Sequence, residues 1–462
     1  MLHRLLLLCS CFLLACSQPS RTPAEQSVSE TKAPEASLSS KLLTNQPVNI
    51  NGELHYAVYY PSGFSTEKKL PVMIFFDPHG DPTIPLNKYK DVADKYGFIL
   101  IGSHDSKNGN PAGETVKIID GLYNQARALP GVDTALIYCG GFSGGGRIAA
   151  MMGLSPIRIQ GILTCGAGVS GGAWYGVPPY VVISMAGSGD MNLHEIKAFS
   201  TPKKDLMTRY FKVVFEGKHE WPPVKEMEFA FITFKRMAMR DGKQIRDEAF
   251  IKSSGNWLLD YLETKTDILS KADANFNIIR NSESLEDISA LEKSYEQILK
   301  STPYLDARRK DKKLDEEEES MKARLLAEFY IKDTLWWKTT FNSLLDTSGF
   351  RNDKARIAMI RRVQGHLSLS VYTVLTRAIA ALKTDQEVYL SSLYRYIDPV
   401  NAEAWYLSAV VAMQIGQADN ALACLDKSVS LGFKDIGRCR SEQQFNILQN
   451  DSRFQSILSK IN

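Results

Sequence analysis

Charge of one sign is what this 462-residue chain most lacks: 55 Lys and Arg are set against 52 Asp and Glu, leaving a net charge of +3. Nucleic-acid binding draws on a basic face, so this balance argues against nucleic acid as a partner. Compositional extremes are lacking too. Hydrophobic residues at 44% and charged residues at 23% exclude a wholly disordered chain, a collagen-like chain and a multispan membrane protein. The phosphate loop Gly-x-x-x-x-Gly-Lys-Ser/Thr and the zinc motif His-Glu-x-x-His are absent, which removes the commonest nucleotide and metal chemistries. Gly166-Ala167-Gly168-Val169-Ser170-Gly171 does satisfy Gly-x-Gly-x-x-Gly. No helical pattern begins at Gly168, however, so a pyrophosphate would find no helix N-terminus there. No cofactor and no metal are expected.

Cysteine is sparse, seven in all. Met1 to Arg4 leads into the apolar stretch Leu5 to Ala15, too short to cross a hydrocarbon core of about 30 Å as a helix and suited to an export signal. Its end, Leu13-Leu14-Ala15-Cys16, resembles the bacterial lipobox, which implies removal of residues 1–15 and acylation of Cys16. Residues 16–45, rich in Ser, Pro, Ala, Glu, Gln and Thr over most of their length, cannot offset their ordering entropy and are expected to form a flexible tether. Ser17 stands where many inner-membrane bacterial lipoproteins carry an acidic retention signal, which points to the outer membrane of a bacterial envelope, with the lipid as the sole membrane contact. The remaining cysteines, Cys139, Cys165, Cys424 and Cys439, lack metal-site spacing. They are expected as buried thiols, although an oxidising compartment leaves a disulfide open for either pair.

A chain this long exceeds the roughly 250 to 300 residues at which single cores divide, so about two or three domains are expected. Apolar runs at Leu54 to Tyr60, Pro71 to Phe76, Phe98 to Ser103, Ala135 to Cys139, Gly161 to Cys165, Tyr180 to Met185 and Tyr210 to Phe215 read as strands. Helical spacing at Leu86 to Tyr96, Thr115 to Leu129, Gly145 to Leu154 and Glu226 to Arg240 alternates with them. The alternation makes residues 46–242 an α/β three-layer sandwich with a mostly parallel sheet. Strand signals then vanish, and residues 256–365 read as a helical region. Its charged run from Arg308 to Glu319 has Lys and Glu four apart, the pattern of a solvated helix face. Residues 366–462 carry a period of about 34 residues. Trp405, Ala409, Gly416, Ala421 and Leu425 resemble the tetratricopeptide repeat, with small residues where paired helices approach. This implies an all-α repeat domain able to bind a protein partner.

Gly141-Phe142-Ser143-Gly144-Gly145 fits Gly-x-Ser-x-Gly between an apolar strand and a helical pattern, the context of a turn that exposes a serine hydroxyl at a sheet edge. Gly168-Val169-Ser170-Gly171-Gly172 also fits, but no helix follows it. A serine needs a base and the base an orienting acid, in the order Ser, Asp or Glu, His on such a sheet. His219 follows the last strand and Asp190 the one before it. His194 lies too close to the acid loop, His366 belongs to the helical part, and Asp205 lies farther on beside Lys203 and Lys204. The oxyanion hole should draw the N–H of Gly144 together with that of Gly80 or Asp81 in Asp77-Pro78-His79-Gly80-Asp81. His79 is expected to fix this loop more than to touch substrate, and Trp174, Tyr175 and Trp221 are either stacking surfaces for substrate or, in the bland reading, packing for the loops.

His219-Glu220-Trp221-Pro222 and Ser143-Gly144-Gly145 resemble the His-x-Trp-Pro and Ser-x-Gly-Gly of the alpha/beta-hydrolase branch that holds polyhydroxybutyrate depolymerases, feruloyl and acetylxylan esterases and dienelactone hydrolases. Asp77-Pro78 before the His-Gly and Pro223 after Trp-Pro depart from that pattern. The resemblance implies a serine carboxylesterase. Only Gly166 to Pro178 separates two strands where lidded hydrolases insert a cap, so the site is expected to be open and to take short acyl esters of bulky alcohols, glycan-linked ones among them. A non-catalytic repeat-based adaptor and an exported serine peptidase are the rival functions. If Cys16 is the anchor, Cys16→Ala should move the protein from the membrane to the soluble fraction on cell fractionation; unchanged membrane association would refute it.

Overall fold

The computed structural model describes residues 38–48, 53–169, 178–199 and 209–461. Cys16, Ser170, Trp174, Tyr175 and Asp205 therefore lie outside the described residues. Among the described residues no helix is long and apolar enough to cross a membrane.

Among the described residues eight strands form one sheet: β1 (Lys41–Pro47), β2 (His55–Tyr60), β3 (Leu70–Phe76), β4 (Ile99–Ser103), β5 (Val132–Phe142), β6 (Gly161–Cys165), β7 (Val181–Gly187) and β8 (Tyr210–Phe215). Their order is β1-β2-β4-β3-β5-β6-β7-β8. The first two pairings are antiparallel and the remainder parallel. Alternate side chains feed two cores. Met73 and Phe75 pack with helices α1 (Thr83–Tyr96) and α5 (Val224–Arg240), while Val72, Ile74 and Phe76 face α2 (Ala112–Ala128) and α3 (Gly144–Leu154). Helices on both faces bury the central strands, which is why β3, β4, β6 and β7 read as continuous apolar runs rather than alternating ones. The parallel strands bring the loops after β3, β5, β7 and β8 to one edge, where ligand sites form in such sheets.

Two expected boundaries shift. The tether was expected to run to residue 45, yet Lys41–Pro47 is an edge strand, paired to β2 through main-chain ladder bonds. Its mixed polar pattern, half exposed, carries no period-2 signal: Leu42 and Leu43 pack on opposite cores, and main-chain bonds to β2 hold the strand besides. The sheet domain also extends past Gly242: Leu258 and Tyr261 of α6 (Glu248–Glu263) and Ile278 of α7 (Ile268–Ser282) belong to the sheet's own core. Arg236 of α5, fully buried, seals this junction. It donates to the carbonyls of Asn281 (3.1 Å) and Ile251 (2.8 Å), to Ser254 Oγ (2.8 Å) and Ser282 Oγ (3.1 Å), and pairs with Glu286.

The helical part shares one core, from Leu314 to Leu458. α8 (Ser289–Lys300) lies outside it and packs Leu291 against the sheet's core; the helical core is built by α9 (Thr302–Ala327), α10 (Thr334–Leu345), α11 (Lys354–Ala380), α12 (Thr384–Ile397), α13 (Ala402–Gln414), α14 (Ala418–Ser430), α15 (Ile436–Ser441) and α16 (Ser452–Leu458). α13 and α14 form the hairpin that the repeat pattern anticipates, with Ala409 and Ala421 fully buried between them and Gly416 at φ 74° in the turn. The division at 365/366 has no structural counterpart, since α11 runs unbroken through it. The charged run on α9 is solvated on one side only. Lys312 pairs with Glu316 (3.7 Å), but Asp311 and Asp315 hold Lys197 of the short helix α4 (Leu193–Phe199) at 2.8 and 2.9 Å, so the other side docks onto the sheet domain. All four described cysteines are free and buried. Burial pushes the Cys139 and Cys165 thiols well above the usual range and Cys439 to about 12, so none is a ready thiolate.

Removing one partner of a buried, hydrogen-bonded ion should be costly. Arg236→Ala should lower stability to urea by about 3 kcal/mol or more, and an unchanged unfolding midpoint would contradict the role of Arg236 as the seal between α5 and the two helices after it.

Candidate active site

Ser143 occupies the turn between β5 and α3 with φ 53° and ψ −118°, a conformation that costs a non-glycine residue about 1–3 kcal/mol. The glycines around it make the turn geometrically feasible. A Cβ on Gly145 would overlap the Phe76 carbonyl oxygen, so the first turn of α3 lies directly against the end of β3. The Ser143 N–H donates to the Cys165 carbonyl at 2.8 Å, pinning the turn to β6.

The loops after β7 and β8 bring the two expected partners to this serine. His219 Nε2 lies 3.0 Å from Ser143 Oγ, and His219 Nδ1 lies 2.9 Å from Asp190 Oδ1. An ionised carboxylate only accepts, so Nδ1 carries the proton and donates to Asp190; Nε2 is then the acceptor for the Ser143 hydroxyl. Asp190 is buried, and its Oδ1 also accepts from the Asn192 N–H at 2.8 Å. The Phe142 ring packs on the imidazole at a centroid distance of 4.6 Å, limiting its swing.

The three expected oxyanion donors divide. Gly144 is the first residue of α3, where main-chain N–H groups have no intrahelical acceptor. Gly80 does not serve: its N–H donates to the Asp77 carbonyl at 3.1 Å. It is glycine because φ is 72° and a Cβ would press on the His104 carbonyl. Asp81, just ahead of α1, accepts from the Thr83 N–H at 3.0 Å through its side chain, and its own N–H donates to no acceptor among the described residues. Of the two roles open to Trp221, it takes the packing one. It is a buried packing residue among Phe75, Tyr89 and Phe142, with its indole N–H donating to Asp77 Oδ2 at 2.9 Å, so it offers no stacking face to substrate. Asp77 thereby ties the loop after β3 to the loop that carries His219. Its Oδ1 also accepts the His79 N–H at 2.9 Å. The His79 imidazole stays 76% exposed, 3.4 Å from Asp77, whose carboxylate raises its pKa.

Three participants escaped sequence reasoning. Asn108, exposed on the loop after β4, sets its side-chain oxygen against Gly144, so a side chain there would have to displace it. Glu195 of α4 accepts two bonds from Arg147 of α3 (3.1 and 2.9 Å) and one from the Gly168 N–H (2.9 Å). Burial pushes its carboxyl up, but Arg147 and the Gly168 N–H outweigh this and hold it below its ordinary value. Third, α11 packs against the loop carrying Asp190: Arg361 touches Gly189, Gly365 lies against Met191, and Arg362 Nη1 donates to the Ser188 carbonyl at 2.7 Å. The expected open mouth is thus bounded on the β7 side by a helix. None of these contacts joins residues close in sequence, so no local motif announces them.

No protein-family model matches the chain, and no curated relative does. Among solved structures, an esterase from the planctomycete Thermogutta terrifontis is 14% identical, covering 44% of this chain and 94% of its own with a TM-score of 0.35. An esterase from the archaeon Pyrobaculum calidifontis is 13% identical over 43% of this chain and 86% of its own, TM-score 0.32. The feruloyl esterase module of Clostridium thermocellum is 15% identical over 43% and 90%, TM-score 0.32. At such identities and scores, the chemistry rests on the chain's own side chains.

Asp77→Asn keeps the shape of the loop and removes the charge beside His79. The His79 pKa should fall, as followed by NMR titration of its ring protons. The sign follows from linkage: the attraction is fully present below the ordinary histidine pKa of about 6.5 and is lost as pH rises through the raised folded value. An unchanged titration would show that Asp77 does not set it.

Proposed function

We propose that this chain is a serine hydrolase of the alpha/beta-hydrolase type acting on carboxylic esters, with Ser143 as nucleophile, His219 as general base and acid, and Asp190 as the orienting carboxylate. The observation that carries this reading is the unbroken relay from Ser143 Oγ through His219 to Asp190, 3.0 and 2.9 Å long, at the carboxyl edge of a parallel sheet. In the forward step Ser143 Oγ attacks the ester carbonyl carbon while its proton passes to His219 Nε2. The carbonyl electron pair moves to oxygen, where the N–H groups of Gly144 and Asp81 would receive it. Collapse expels the alcohol, which takes the proton from His219, and leaves an acyl group on Ser143. Water, deprotonated by His219, then releases the acid and restores the serine.

An inert adaptor would have no use for a strained serine turn held within reach of a correctly paired histidine, since strain of this kind persists only where surrounding structure enforces it. Peptide hydrolysis would use the same groups, and only substrate panels separate it from ester hydrolysis. The substrates we favour are short acyl esters of bulky, glycan-linked alcohols. In the same proposal the helix pairs of α11 to α14 are tetratricopeptide-like and offer a protein partner a surface, and acylated Cys16 holds the enzyme on a bacterial outer membrane.

A fluorophosphonate probe should label the wild type and not Ser143→Ala. Against a panel of aryl esters, acetylated and feruloylated oligosaccharides and peptides, Ser143→Ala and His219→Ala should abolish turnover, while Asp190→Asn should cost on the order of 10⁴ in kcat by presenting the wrong tautomer. Undiminished turnover in Ser143→Ala would end the proposal, and preference for peptides would turn it into a peptidase.

A further inference from the structure

The turn that carries Asp190 is held from two directions. On the sheet side, the Ser188 N–H donates to the Phe215 carbonyl (2.7 Å), the Gly189 N–H to the Gly217 carbonyl (2.8 Å), and Asn192 Nδ2 to the Gly166 carbonyl (2.8 Å). On the opposite side stands the helical part, more than a hundred residues later in sequence. Arg362 Nη1 donates to the Ser188 carbonyl (2.7 Å), and the same guanidinium is clamped by Glu318 Oε2, at 2.7 Å from Nε and 2.6 Å from Nη2. Glu318 is fully buried, 2.7 Å from Lys322 and 3.0 Å from His194 on α4, the helix that begins three residues after Asp190. One buried carboxylate therefore holds the acid loop through Arg362 at Ser188 and lies beside His194 at the loop's other end.

His194, Glu318 and Glu319 could be taken for a metal site. The ammonium of Lys322 and the guanidinium of Arg362 already occupy Glu318, so a cation there would meet two positive charges at close range. The cluster is better understood by what it holds. If docking alone were needed, apolar residues would serve as well as a buried ion pair, whose desolvation offsets much of its attraction. A planar fork adds direction: it fixes where the Ser188 carbonyl points, and with it the peptide two residues before Asp190.

We propose that Arg362, held by Glu318, is a positioning residue for Asp190, so that the helical part completes the catalytic relay from outside the sheet domain. This rests on the Ser143–His219–Asp190 reading above. Loosening the turn would weaken the Asp190–His219 bond and let the imidazole lose its stabilised cation, without altering where substrate binds.

The test uses the full chain with Arg362→Met, Arg362→Lys and, as a control on the same helix, Lys354→Ala, which removes only an exposed pair with Glu216. Three readouts are taken: kcat and KM on the best ester, the pH profile of kcat/KM, and the low-field NMR signal of the His219 Nδ1 proton without substrate. Arg362→Met should lower kcat by up to about 100-fold with KM within about twofold. Its acidic limb should move to lower pH, because histidine loses a nearby anion, and its low-field signal should broaden or vanish. Arg362→Lys, which keeps the charge but not the fork, should fall between, and Lys354→Ala should match wild type. Wild-type kcat, limb and proton signal in a folded Arg362→Met would overturn the proposal. If Arg362→Met does not fold, a Lys variant indistinguishable from wild type does the same. Retained turnover in Ser143→Ala would instead defeat the triad reading, and the proton signal would still report whether Arg362 holds Asp190 to His219.

Discussion

The backbone of Ser143 is the constraint around which the rest is arranged. A side chain other than glycine at φ 53° and ψ −118° survives only where neighbours permit no relaxation. Two strands and a helix supply those neighbours: β3 lies against Gly145, β6 takes the Ser143 N–H, and α3 begins at Gly144. The same closeness that demands glycine at Gly145 delivers the hydroxyl at the carboxyl edge of the sheet, with the N–H groups of a helix start beside it. Strain, exposure and an anion-favouring field thus have one geometric origin.

Around this turn, charge is distributed by pairing. Asp77 receives an indole N–H and a main-chain N–H, Glu195 receives Arg147 and Gly168, and Asp190 receives His219 and Asn192. Each carboxylate joins loops from different strands, so the four loops at the edge behave as one cross-linked unit. Trp221 shows how the bland reading of a residue can be the right one: buried between Phe75 and Phe142, it serves substrate only by holding His219 in place.

The helical part is attached to this unit through ions rather than through a shared apolar core. Its core and those of the sheet domain are separate, and Lys197, His194 and Ser188 meet Asp311, Asp315, Glu318 and Arg362 across the join. Burial opposes ionisation of Glu318, yet His194, Arg362 and Lys322 pull its pKa down to about 2. The stability it contributes is present above the ordinary carboxyl range and drains away only as pH falls toward that folded value. The join is therefore electrostatically intact across the neutral range.

The sequence by itself determined the sheet, the serine turn and the chain order of Ser143, Asp190 and His219, because each rests on local pattern: continuous apolar runs for strands buried on both faces, glycines at a tight turn, and loops placed after successive strands. The α13–α14 hairpin was legible for the same reason, in small residues at helical spacing. Tertiary structure alone decided that Lys41–Pro47 pairs as a strand, that α6 and α7 complete the sheet's core, that Gly80 spends its N–H within its own turn, and that Arg362 reaches Ser188. Those outcomes depend on hydrogen bonds and ion pairs between residues distant in the chain. A polar side chain's type restricts what it can bond but not which partner folding brings within 3 Å of it.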